Sequence, residues 1–183
     1  MTTTRFPSSA PTVITVERGA SDPAARLVGM ANVATTDRVG REELDAFLRT
    51  RHKAIVVTRR SDGGDQTSPV TLGIDAEGRL LVSTYPERAK VTNVRRDPRV
   101  AMCVLSDDFD GPWVHVEGTA EVLDLPDALE PLVEYFRSIS GEHSDWDEYR
   151  EAMARQGKSL IRLTVERWGP IATGGFPARL ATG

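Results

Sequence analysis

The chain predicts a mainly β, α+β fold: a small six-stranded antiparallel barrel with short flanking helices. Six runs read as strands, "KAIVVTRR", "TSPVTLGID", "RLLVSTY", "RVAMCVLS", "WVHVEGTAEVLD" and "KSLIRLTVERW". Tight-turn chemistry, "SDGGDQ" and "DAEG", joins the first three into a meander. Short amphipathic helical segments interrupt the rest. Closing such strands into a barrel removes the exposed edges that would otherwise template aggregation.

Size and composition agree with one folded domain. The chain has 183 residues and 20.1 kDa, with 39% hydrophobic and 27% charged residues, inside the usual span of a single domain. Residues 1 to 38 mix Thr, Ser, Pro and Gly without a sustained period and read as an N-terminal arm. Residues 39 to 183 form the folded domain.

After the arm, "REELDAFLRTR" places acids early, basics late, and Leu44, Phe47 and Leu48 at helical spacing. The β-branched "KAIVVTRR" then opens the meander. "PERAKVTNVRRD" reads as a short helix starting at Pro86 and ending before Pro98. "RVAMCVLS" is continuously apolar, which predicts a strand covered on both faces. "WVHVEGTAEVLD" alternates, with Val114, Val116, Ala120 and Val122 on one side.

Asp124 is placed to cap the next helix, where Leu129, Leu132, Val133 and Phe136 form an apolar stripe. Gly141 breaks that helix. "SDWDEYREAMARQG" starts another, with Ser144 as its expected cap, before the last strand.

Several function classes are excluded by composition. The net charge of -4 argues against binding a nucleic-acid polymer. The longest apolar run, Val100 to Leu105, is far short of the roughly 20 residues of a membrane helix. The N-terminus lacks a signal core and the lone Cys103 has no internal disulfide partner, so a cytoplasmic location is expected. His52, His115 and His143 are scattered, which gives no metal site. Dinucleotide, phosphate-loop and zinc signatures are missing.

Against this acidic background, Arg88, Lys90, Arg95, Arg96 and Arg99 crowd into one short segment. Ser83 and Thr84 end the preceding strand, while Arg88 and Lys90 fall in the first turn of a helix. Free backbone N–H groups and the positive dipole end favour an anion there. A solvated basic helix face is the competing reading of the same spacing.

These residues also carry a resemblance. "ERAKVTNVRRDPRVAMCV", "WVHVEGTAEVL" and "YFRSISGEHSDWDEYREAM" closely resemble the deazaflavin-dependent reductases of the pyridoxamine-phosphate-oxidase-like superfamily, the actinobacterial split β-barrel proteins, over residues 41 to 168. The resemblance implies an FMN-binding type of split barrel. It also implies a homodimer with cofactor clefts at the subunit interface, and coenzyme F420 as the bound deazaflavin.

Phosphate-binding positions carry over to Ser83, Thr84, Arg88 and Lys90, with Asn93 supporting the turn. Gln66, Ser68, Pro69 and Val70 match the strand bordering the cofactor ring, and Trp113 falls near flanking aromatic positions. The C-terminal "IATGGFPARL" is expected to shape the substrate side. A deazaflavin has carbon in place of the flavin N5, which implies two-electron hydride transfer to an electron-poor small molecule. No general acid stands out beyond Tyr85 and His115, and the catalytic residues stay unassigned. Two alternatives remain open: an FMN-dependent enzyme using the same cleft, or a non-catalytic deazaflavin carrier or sensor.

Overall fold

Nine strands form one antiparallel sheet in this computed structural model, which describes residues 33–177 and 179. The six long runs appear as β2 (Lys53–Arg59), β3 (Asp65–Thr71) with its continuation β4 (Gly73–Ile74), β5 (Leu80–Thr84), β6 (Arg99–Leu105), β7 (Trp113–Leu123) and β8 (Ser159–Trp168). Two short strands add to them, β1 (Thr35–Asp37) and β9 (Ile171–Thr173), which pair with each other. The first 32 residues of the expected arm lie outside the described residues.

Sheet order is β3-β2-β6-β7-β8-β5-β4, and β3 also approaches β5, so the sheet curls back on itself. This is the split-barrel arrangement. The turns that drive it obey local chemistry: Gly63 and Gly78 adopt φ values of 83° and 78° in the two meander hairpins, where a side chain would be strained.

Alternation sorts the strand side chains. Ala54, Val56, Val100, Met102, Val104, Val114, Val116, Ile161, Leu163, Leu80 and Val82 point inward and are buried. Helix α1 (Arg41–Leu48) contributes Leu44 and Leu48 to the same core, and α2 (Ala89–Arg96) contributes Val91 and Val94. A second core lies on the other side of β5 and β8. There Leu81 and Leu160 pack with Leu132 and Val133 of α3 (Leu129–Ser140) and Tyr149 of α4 (Trp146–Gln156).

Several expectations are corrected. β6 is covered on one face: Val100, Met102 and Val104 are buried, whereas Ala101, Cys103 and Leu105 are only half-buried. β5 and the first residues of β8, Ser159 to Ile161, are covered on both faces, because α3 and α4 pack outside them. Asp124 does not cap α3; its carboxylate accepts from Ser159 Oγ at 2.6 Å and pairs with Arg95. Asp145, not Ser144, caps α4 by accepting from the Asp147 and Glu148 amides. α2 begins at Ala89 after a turn over residues 86–88, so Arg88 occupies its N-cap.

Among the described residues no helix is long and apolar enough to cross a membrane. Nor do they contain a group of three His, Cys, Asp or Glu side chains placed to hold a metal ion.

Candidate functional site

Where β3 comes close to β5, a cleft of about 450 Å³ opens between four elements. Gln66 and Ser68 come from β3, Ser83 and Thr84 from β5, and Tyr85, Arg88, Ala89 and Lys90 from the turn into α2. Lys158 comes from the residue before β8. Six of the ten positions nominated from sequence, Gln66, Ser68, Ser83, Thr84, Arg88 and Lys90, thus meet in one place although they span 25 positions of chain. Sheet pairing does this. β5 hydrogen-bonds to β8, and the chain leaving β5 turns directly into α2.

The cleft is positively charged, with no acid in its lining among the described residues. Arg88, Lys90 and Lys158 belong to no ion pair among the described residues. Lys90 is half-buried, and this burial, followed by the charge of Arg88, lowers its ammonium below the usual lysine range. The ring of Tyr85 carries Lys158 Nζ at 3.8 Å from its centroid and the Arg88 guanidinium carbon at 6.0 Å. Thr84 is 4% exposed and lines the cleft. Backbone amides at the start of α2 add further donors.

A larger groove of about 530 Å³ lies elsewhere, lined by residues of β2, β6, β7 and β8 with Asp65 of β3 and Asp97 before β6. Its arginines are already paired. Arg59 pairs with Asp65, Arg99 with Asp97, and Arg167 with Glu117. The two sites therefore differ in kind: cations neutralised by neighbouring carboxylates in the groove, and cations left for an incoming anion in the cleft.

The remaining nominated residues do not line the cleft. Asn93 is buried and acts through other side chains: its Nδ2 donates to Thr58 Oγ1 at 3.1 Å, and Thr58 Oγ1 donates to Gln66 Oε1 at 3.0 Å. Gln66 Nε2 in turn donates to Ser68 Oγ at 2.6 Å. Asn93 thus fixes α2 to β2 and orients the β3 side chains.

Pro69 is exposed on the opposite side of β3 from Gln66 and Ser68, as strand alternation requires, and Val70 packs against the main core. Trp113 begins β7, where it pairs with Leu105 and Ala172. His115 hydrogen-bonds Glu117 and likewise stands outside the cleft lining. Ile171–Thr173 of the C-terminal segment pair with β1, and none of the segment's described residues lines the cleft. Positions 178 and 180 of that segment lie outside the described residues.

Sequence reasoning missed Lys158 and Thr58. Lys158 is one cation in a helix-to-strand turn, and only the β5–β8 register brings it beside Tyr85. Thr58 reads as an ordinary strand residue until Asn93 is seen to reach it.

A sequence model described as pyridoxamine 5'-phosphate oxidase matches residues 41–172. Among solved structures, a conserved hypothetical protein of Mycobacterium tuberculosis is similar at 21% identity and a TM-score of 0.62, over 81% of this chain and 94% of that one. A protein described as an F420 reductase is similar at 18% identity and a TM-score of 0.52, over 68% and 94% of the two chains. A heme storage protein of Vibrio cholerae is similar at 16% identity and a TM-score of 0.56, over 73% and 96%. At these identities the structures share a fold, while their described roles differ.

Proposed function

The chain belongs to the pyridoxamine 5'-phosphate oxidase family, and on that premise we propose that it binds the deazaflavin coenzyme F420 and reduces an electron-poor small molecule. The observation that carries this reading is the convergence of Arg88, Lys90, Ser68, Ser83 and Thr84 on one cleft whose described lining holds no acid. The residues fit the anionic end of such a coenzyme. Two cations answer a phosphate's charge, and hydroxyls with free backbone amides answer its oxygens.

When bound, the coenzyme supplies hydride chemistry. The protein's part is binding and orientation. Arg88 and Lys90 hold the anionic end, and the Asn93–Thr58–Gln66 chain keeps the Gln66 amide and Ser68 hydroxyl fixed along β3. The description of one structural neighbour as an F420 reductase is consistent with this reading.

A second copy of the chain completes the account. The outer face of β2 and β6 presents Ile55, Val57, Ala101 and Cys103 half-buried, with Pro69 paired to Ile55 at its border and Trp113 paired to Leu105. Such an apolar sheet face is normally covered. Fluorescence titration with F420 tests the reading, and the mass of the protein in solution tests the dimer.

A further inference from the structure

Lys158 is the cleft's third cation, and it arrives from a different element than the other two. Thr84 pairs with Ser159, so the next residues along, Tyr85 and Lys158, face each other beyond the end of the ladder. The ammonium rests on the Tyr85 ring, which attracts a cation without neutralising it. From the two ring distances, the charges of Lys158 and Arg88 lie within about 10 Å of each other.

Charge balance makes the third cation informative. A phosphate diester carries about one negative charge and a terminal monoester up to about two. Arg88 and Lys90, two residues apart at the start of α2, already match either one. Among the described residues, Lys158 then remains without a counterion in a lining that holds no carboxylate.

Resting on the phosphate-site reading above, we propose that Lys158 receives a second anionic group of the same ligand, a carboxylate or phosphate beyond the phosphate held by Arg88 and Lys90. The site then selects ligands with two anionic centres over ligands with one. Lys158 is a specificity-determining residue, and Tyr85 positions it.

The test uses inorganic phosphate and inorganic tripolyphosphate as probes, titrated by calorimetry into wild type, Lys158→Gln, Lys158→Arg and Arg88→Ala, with each variant's melting checked. The expected result is that Lys158→Gln lowers tripolyphosphate affinity about tenfold and leaves phosphate affinity within about twofold. Lys158→Arg restores it, and Arg88→Ala weakens both probes. Unchanged affinities in Lys158→Gln, an equal loss for both probes, or no binding of either probe to wild type overturns the proposal.

A second arm compares F420 bearing its glutamyl tail with the coenzyme stripped of glutamates. Dependence on Lys158 for the tailed form alone identifies a tail carboxylate, and equal dependence on both forms identifies the carboxylate that the stripped coenzyme keeps beside its phosphate. Indifference of both forms to Lys158→Gln overturns the second-anion assignment for this coenzyme. Lys158-dependent tripolyphosphate binding without any F420 binding keeps the inference and removes the coenzyme reading.

Discussion

Asn93 and Thr58 are joined by a buried hydrogen bond of 3.1 Å that ties α2 to β2, and through Gln66 the link continues to the cleft. Losing one partner strands the other in a dry environment, where an unsatisfied group costs about 1–3 kcal/mol. Asn93→Ala and Thr58→Val are each expected to lower stability by about that amount and to weaken coenzyme binding although neither side chain lines the cleft. Urea unfolding of the double variant checks the coupling, with a combined loss smaller than the sum. Strict additivity would disconnect the two residues.

Arg88→Ala and Lys90→Ala are each expected to weaken F420 binding by about 1.5–3 kcal/mol through lost charge-assisted bonds. The pH dependence follows from Lys90. Its folded-state ionisation is lowered from 10.5, so the free protein gains stability as pH rises through that lowered value toward 10.5, while affinity for an anion falls over the same window. Binding measured from neutral to alkaline pH should show this decline in wild type and shift it upward in Lys90→Arg.

Much of this site was legible because its residues lie close along the chain. Ser83 to Lys90 span a strand end and a helix start, where local dipole and capping rules apply, and the structure brings those residues to one cleft. Gln66 and Ser68 join them by the β3 approach to β5, which local rules cannot supply. Pro69 went the other way for the same reason: strand alternation puts neighbours on opposite faces, and a segment match carries all of them together.

The segment "GEHSDWDEYR", part of the resemblance, serves a structural corner. Phe136, His143, Trp146 and Tyr149 pack their rings 5.1–5.9 Å apart at the α3–α4 junction. Glu142 accepts from Trp146 Nε1 and Arg137 there. Short capping choices were harder to read, since Ser144 and Asp145 are both good caps and only backbone placement separates them.

In that corner Tyr149 donates its hydroxyl to the Leu132 carbonyl at 3.0 Å, and burial, then Tyr135, push its ionisation up to about 12. Tyr149→Phe keeps the ring packing and removes the bond. A loss of about 1 kcal/mol in urea unfolding is expected.

Gly118 sits where the β7–β8 register shifts, and a Cβ there would lie 1.9 Å from the Thr164 carbonyl oxygen. The obstacle is backbone, so it cannot swing aside. Gly118→Ala is expected to cost at least about 3 kcal/mol, at or above the upper end for overpacking, and thermal melting checks it.

Asp97 is held down to about 2 by the Arg99 guanidinium and then the Arg99 amide. Its stabilising contribution is therefore intact above 3.8 and is lost as pH falls from there toward about 2. Wild type and Asp97→Asn should differ in stability at neutral pH and converge in acid.

Titration of the purified protein with F420 and with FMN, side by side, tests the account most directly. Tighter binding of F420, weakened in both Arg88→Ala and Lys90→Ala, is the predicted result. Preference for FMN, or F420 affinity indifferent to both substitutions, would contradict it.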